Sequence, residues 1–286
     1  MTNIKQTRSS FQLPKLGLGT WKIGGEREVD NTHDEKWVTL IKAAIALGYR
    51  HIDTAPSYGA GHAEELIGRA INSQDRKKLI LATKVSASEL AYQRCIDSAH
   101  QSLERLSVDY LDILYIHAPN PEVPLSETMR AMDDLVASGV TKHIAVSNFT
   151  VEQLQEAESY TNHEIVANQI EYNLRTREHS HYAECVHMES RILPYCQQKN
   201  IFIVASRPLD RGTILEPNPL MDEMVNKYQK TKAQIALNWL LSQANVAAIV
   251  KSSTIEHLEE NYHATEWHLE PKDVEKLRIG YPSDRQ

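Results

Sequence analysis

Gly17-Leu18-Gly19-Thr20-Trp21-Lys22 closes the first short apolar run of the chain, and its composition separates two architectures. An open, doubly wound sheet that holds a dinucleotide announces itself with a glycine-rich turn after the first strand, the third glycine opening the helix. Here Thr20, Trp21 and Lys22 follow Gly19 and no third glycine comes at the required place, so that fingerprint fails. What remains is the count of similar runs.

There are eight: Leu16 to Gly19, Tyr49 to Thr54, Leu79 to Lys84, Tyr110 to His117, His143 to Ser147, Ile165 to Glu171, Ile201 to Ser206 and Val246 to Lys251. Helical periodicity fills the stretches between. Trp37, Leu40, Ile41, Ala44 and Ile45 recur on one face before Gly48 stops them, and Leu125 to Ser138 behaves likewise up to Gly139. Ser86 with Glu89, Thr150 with Gln153 and Ser253 with Glu256 have capping-box spacing directly after strand candidates. Alternation implies parallel strands with right-handed crossovers, and runs such as Ile113 to Ile116, apolar without alternation, suit strands buried on both faces. Eight units predict an α/β fold of the closed (β/α)8 type, a TIM barrel forming a single domain over residues 1–286. Such barrels run to about 250 residues as one domain, so the length of 286 fits.

A formal charge of −7 without a basic block interleaved with aromatics argues against nucleic acid as a partner. Met1 to Ser10 is polar, and no run approaches the 18 or so apolar residues that span a bilayer, so a soluble, cytoplasmic protein is expected, without a membrane partner. The three cysteines, Cys95, Cys185 and Cys196, fit a reducing compartment and no disulfide framework.

Barrels of this kind work at the C-terminal ends of their strands, so polar residues there come first. Asp53 ends the second run, Tyr58 lies in the loop after it, Lys84 closes the third and His117 the fourth. A carboxylate and an ammonium at adjacent strand ends can pair, and a tyrosine beside that ammonium has its phenolate favoured, drawing its pKa below about 10 and making it a general acid. Singly, each has a structural reading: a helix cap, a buried pair, a turn residue. A strand-end lysine also admits a Schiff-base aldolase using Lys84.

Four blocks in matching order resemble the aldo-keto reductase family over nearly the whole chain. They are Gly48 to Ala55 with Ser57-Tyr58-Gly59 and Glu64; Val108 to Asp112 with Ile116-His117-Ala118-Pro119; Gly139 to Phe149; and Lys251-Ser252-Ser253-Thr254 with Glu260-Asn261. The resemblance implies NAD(P)H-dependent reduction of aldehydes and ketones to alcohols. Tyr58 would be the general acid, Lys84 and Asp53 would tune it, and His117 would orient the carbonyl. NADPH would be the cofactor, with NADH as an alternative, and no metal would be needed. Ser147, Asn148 and Gln169 match the nicotinamide carboxamide contacts, and Gly19, Thr20, Trp21 and Asp53 those beside the ribose and pocket. Ser206, Arg207 and Leu209 follow the seventh strand against the cofactor. Lys251, Ser252 and Thr254 match the 2′-phosphate group, and Glu260 and Asn261 match adenine contacts. Trp21, Tyr58, His117 and Ala118 would line the substrate pocket, and a monomer is the family expectation.

Three departures qualify the match. His257 stands where the family has a phosphate-site arginine and cannot make its bidentate fork, which weakens the expected preference for NADPH. Ser206 replaces a tyrosine that stacks on the nicotinamide, leaving Arg207 to take that place, to bind pyrophosphate or to face solvent. Ala118 replaces a bulky tryptophan, and the chain ends soon after its last helix, about Lys272 to Ile279, so an open pocket is expected. His179, His181, Cys185 and His187 cluster after the sixth run, but their spacing matches no common zinc finger, and a polar loop bordering the cofactor is the preferred reading. A reductase-fold regulatory module that binds cofactor with slow chemistry is the other functional alternative.

Overall fold

Eight short strands, each joined to its neighbours in chain order and all parallel, close on one another in a computed structural model that describes residues 11–181 and 185–283. The polar Met1 to Ser10 lies outside the described residues. The strands are β1 (Leu16–Gly19), β2 (His51–Asp53), β3 (Ile80–Val85), β4 (Leu111–Ile116), β5 (Thr141–Ser147), β6 (Ile165–Glu171), β7 (Phe202–Ser206) and β8 (Val246–Val250). The α-helices in chain order are α1 (Asp34–Leu47), α2 (His62–Ala70), α3 (Ser73–Arg76), α4 (Tyr92–Leu106), α5 (Leu125–Ala137), α6 (Val151–Ser159), α7 (Leu193–Lys199), α8 (Pro219–Tyr228), α9 (Lys232–Leu241), α10 (Ile255–Tyr262) and α11 (Pro271–Gly280). Each of the eight runs overlaps one strand, with ends shifted by up to two residues, and β1 pairs with β8 to close the barrel.

Two apolar clusters follow from this closure. The smaller draws on strands alone apart from Leu13: Ala82, Ile113, Tyr115, Ala145, Val166, Ala167, Val204, Ala247 and Ile249, the filling of the lumen. The larger joins the outward strand faces to the helices, with Ile41, Ala44 and Ile45 of α1 and Met129, Met132 and Leu135 of α5 among its members. Small residues alternate with large ones because a closed barrel leaves its interior just wide enough for side chains. Gly17 shows the constraint: a Cβ there would meet His51 Nδ1 at 2.6 Å, so the glycine makes the space the buried imidazole fills.

Helix ends obey local chemistry, with two corrections. Thr150 and Gln153 form the expected reciprocal box at the start of α6. Ser86 makes no side-chain cap, because a short 3-10 turn over Ala87–Glu89 intervenes before α4 begins at Tyr92. The box at Ser253 is displaced by one residue: Thr254 caps α10 by accepting from the His257 amide, while Ser253 Oγ meets Lys251 Nζ at 2.6 Å. α1 ends where expected, with Gly48 at φ 122° donating its amide to Ala44 and Ile45, a conformation that favours glycine.

Candidate active site

Registry brings the rim residues together. Asp53 sits opposite Ala82, and Lys84 follows two residues further along β3, on the same face. Lys84 Nζ lies 2.6 Å from Asp53 Oδ1, 2.8 Å from the Thr54 carbonyl and 3.4 Å from the Tyr58 hydroxyl, and neither charged partner reaches solvent. Burial acts to lower the Lys84 pKa, but the charge of Asp53 and the Tyr58 hydroxyl outweigh it and hold the ammonium above its ordinary value. Closed off from solvent and committed to Asp53 and the Thr54 carbonyl, the Lys84 amine is poorly placed to act as a Schiff-base nucleophile.

Tyr58 is placed by a tight turn, its amide donating to the Ala55 carbonyl at 3.1 Å. Gly59 comes next at φ 56°, and a Cβ there would lie 2.3 Å from the Gly24 carbonyl oxygen, so glycine lets this loop lie against the loop after β1. The Tyr58 ring meets Trp21 edge-on at 5.0 Å and His117 edge-on at 6.0 Å. The His117 amide donates to Val85, prolonging the β3–β4 pairing to the rim. Burial, and then the nearby Lys84 charge, push the His117 imidazole down to about 3, so it is neutral at working pH. A neutral imidazole can donate or accept a hydrogen bond but is not the acid. That leaves Tyr58.

The residues matched to the carboxamide stand beside this group. Ser147 lies opposite Gln169 and donates its hydroxyl to the Gln169 carbonyl at 2.9 Å. Asn148, at φ 63°, points its amide nitrogen at Ser147 Oγ and at the His117 carbonyl, 3.1 and 3.3 Å away. Gln169 donates Nε2 to Asp53 Oδ2 at 2.8 Å. Thr20 is buried and donates to the Asp53 carbonyl, so it braces β1 against β2, whereas Trp21, 36% exposed, forms an apolar wall.

Around the barrel, β8 ends at Val250 and leads into Lys251, Ser252 and Thr254. Lys251 is lowered from its ordinary value, first by burial and then by the charges of Lys36 and Lys22. Among the described residues no carboxylate pairs with it. Ser252 is buried and accepts from the Asn261 amide at 3.1 Å, so Asn261 acts as a brace behind the loop, while Glu260 is half-buried and His257 exposed. An ammonium with hydroxyls beside it and no carboxylate partner is a donor set suited to a phosphate dianion. The polar set at β5 and β6 suits an amide, so the residues present fit a nicotinamide dinucleotide phosphate.

The loop after β7 joins Arg207 to the end of β6. Ser206 and Leu209 are half-buried there, and Arg207, at φ 50°, directs Nη1 at Glu171 Oε1 over 3.2 Å. The fully buried Glu171 carboxylate also accepts from Ser180 Oγ, the His181 amide and His181 Nδ1. Charge pairing with Glu171 thus holds the Arg207 guanidinium at the end of β7. Glu171 itself received no role from the sequence, although it ends the sixth run and a systematic look at polar strand ends would have found it. The histidine-rich loop is partly accounted for here: His181 is bound to Glu171, His179 and His187 face each other at 6.1 Å, and Cys185 is buried.

A closed parallel barrel with Tyr58, Lys84, Asp53 and His117 on its C-terminal rim, beside a polar amide site and a basic strand end, defines an oxidoreductase that reduces carbonyls with a nicotinamide nucleotide. The chain belongs to the aldo/keto reductase family, whose model matches residues 15–280. It is 30% identical to methylglyoxal reductase YeaE of Escherichia coli over 98% of this chain and 95% of that protein. Among solved structures it is 40% identical to the thermostable aldo-keto reductase Tm1743, crystallised with the inhibitor epalrestat, with a TM-score of 0.89 over 95% of this chain and 96% of that one. An aldo-keto reductase from Klebsiella pneumoniae in complex with NADPH is 31% identical, with a TM-score of 0.84 over 96% and 93% of the two chains. No helix among the described residues is long and apolar enough to cross a membrane.

Proposed function

We propose that this protein reduces small aldehydes and ketones with NADPH, with Tyr58 as the proton donor to the carbonyl oxygen. The observation that carries the assignment is the 3.4 Å separation of the Tyr58 hydroxyl from a Lys84 ammonium that is itself paired with Asp53. When bound, NADPH supplies the hydride. Tyr58 gives its proton to the developing alkoxide, and the adjacent positive charge of Lys84 lowers the cost of the phenolate left behind. Neutral His117 orients the carbonyl oxygen toward Tyr58, so the two groups stabilise charge that exists only as the reaction proceeds. Ser147, Asn148 and Gln169 hold the carboxamide; Lys251, Ser252 and Thr254 hold the 2′-phosphate.

Trp21 as an exposed apolar wall, with Ala118 beside His117, supports an open pocket that admits a compact carbonyl or one with an apolar group. The name of the Escherichia coli relative supports a 2-oxoaldehyde such as methylglyoxal as the first substrate to try. The reading places the protein in the cytoplasm as a monomer without nucleic-acid partners, supported by its acidic charge and by three buried cysteines that form no disulfide. The test follows NADPH oxidation with methylglyoxal and an aromatic aldehyde. Wild type turns over, and Tyr58→Phe loses about 10²- to 10⁴-fold in kcat with NADPH affinity unchanged. Equal turnover by Tyr58→Phe would reject the assignment.

A further inference from the structure

Two lysines share one indole at the entrance to α1. Lys36 Nζ lies 5.1 Å and Lys251 Nζ 5.0 Å from the Trp37 ring centroid. The two ammonium groups are therefore no farther apart than roughly 10 Å, about one Debye length at 0.1 M salt. Bringing like charges together costs energy unless something negative offsets it, and the carboxylates on the same turn are committed elsewhere. Asp34 binds His62 at 2.8 Å and Arg69 at 3.0 Å, and Glu35 binds Arg69 at 2.5 Å. Lys22, the third charge acting on Lys251, is paired with Glu26 at 2.9 Å. Among the described residues neither Lys36 nor Lys251 has a carboxylate partner.

We propose that Lys36, held on the Trp37 indole beside Lys251, is a second cation of the 2′-phosphate site and selects NADPH over NADH. The proposal rests on the NADPH reading above. Trp37 packs against the core, so its ring is a fixed shelf that holds both ammonium groups in one region without ordering them through a salt bridge. His257, exposed at the start of α10, is an imidazole and cannot make the two-pronged contact to a phosphate that a guanidinium makes, so a further cation at this end of the barrel has a role to fill. α1 reaches the site because it packs beside α10, a consequence of barrel closure that sequence distance hides. Lys36 touches no reacting atom. Its role is recognition of one phosphate.

The experiment measures calorimetric Kd values for NADPH and for NADH with wild type, Lys36→Gln, Lys36→Arg and Lys42→Gln. Lys42 is the control: it belongs to the same helix but lines a separate cavity with Arg50 and Lys78. Lys36→Gln is expected to weaken NADPH by about 3- to 10-fold, as for one partly exposed charge-assisted contact, and to leave NADH unchanged. Its NADPH affinity should also depend less steeply on salt. Lys36→Arg should bind as wild type does, and Lys42→Gln should change neither nucleotide. Equal weakening of both nucleotides, or no weakening of NADPH, overturns the proposal. If wild type binds neither nucleotide, the functional reading fails first. If wild type binds NADPH and only the Lys36 variants contradict expectation, that reading stands and this proposal alone falls.

Discussion

Gln169 donates its side-chain amide to Asp53 Oδ2 over 2.8 Å, while Oδ1 of the same carboxylate accepts from Lys84. One buried carboxylate therefore sits between the proton-transfer group and a residue assigned to the carboxamide. The charge that holds Lys84 protonated also orients Gln169, so binding and chemistry share a support. A change at Asp53 has to be felt on both sides.

Asp53→Asn keeps the shape and removes the charge. Lys84 is then a buried ammonium without its anion, and breaking such a pair costs about 3–5 kcal/mol of stability. Burial, no longer opposed by the carboxylate, lowers the Lys84 pKa, so activity should fail at a lower alkaline pH than in wild type as Lys84 loses its proton. Urea unfolding and a kcat–pH profile read the two effects. Unchanged stability with an unchanged alkaline limb would show that the pair is dispensable.

The lumen histidines set an acid dependence. His51 is pushed down to about 4 and His117 to about 3, in both cases chiefly by burial. The unfolded chain takes up protons on these groups near pH 6.5 and the folded chain does not, so their contribution is complete above 6.5 and is lost as pH falls toward 4 and 3. His62 acts with the opposite sign: burial lowers it, but Glu65 and Asp34 outweigh that and raise it, so its contribution is present at low pH and lost as pH rises through its folded value. The His62 contribution changes only above pH 6.5, because below that value both the folded and the unfolded chain hold its proton; between pH 6.5 and 5 the two depressed imidazoles act alone and stability falls, at about 1.4 kcal/mol per pH unit for each excess proton. Urea midpoints between pH 6.5 and 5, above most carboxylate titration, should decline. A flat line would mean that the imidazoles are solvated.

Glu171 gives a structural prediction. It is fully buried, and four donors from the loop after β6 and from the end of β7 converge on it. Glu171→Leu removes the acceptor of the His181 amide and the buried charge that faces Arg207, and should cost about 3–5 kcal/mol while opening the segment from Tyr172 to His181 to proteolysis. Limited digestion with and without NADPH would show it. Resistance equal to wild type would mean that the loop is held by other contacts.

The barrel was legible because its signals are local. Each apolar run is short and each intervening segment carries its own period, so Leu16 to Gly19 and Ile165 to Glu171 match β1 and β6 residue for residue. The catalytic group was legible because a strand end is a place that the sequence marks. Thr254 was missed as the cap of α10 because Ser253 and Thr254 are chemically equivalent at that step, and only the extended backbone of Thr254 decides between them. Arg207 and Lys36 were illegible for a different reason. Glu171 lies far in the chain from Arg207, as Lys251 does from Lys36 and its neighbour Trp37, and only closure of the barrel brings them near.

Lys251 offers the sharpest test of the nucleotide site. Its ammonium is half-buried, shares the Trp37 ring with Lys36 and bonds only a serine hydroxyl within its own loop. Removing it therefore breaks no ion pair among the described residues, and Lys251→Ala should leave the melting temperature within about 2 °C of wild type, as expected for loss of less than 0.5 kcal/mol. The two nucleotides differ only by the 2′-phosphate, so NADPH should bind about 10-fold more weakly or worse and NADH should bind as before. Their affinity ratio then moves toward unity while kcat at saturating nucleotide is retained, because the assigned role of Lys251 is to bind the phosphate and not to touch a reacting atom. A loss shared equally by both nucleotides would place Lys251 against the pyrophosphate or the adenine, and the strand end after β8 would have to be reassigned.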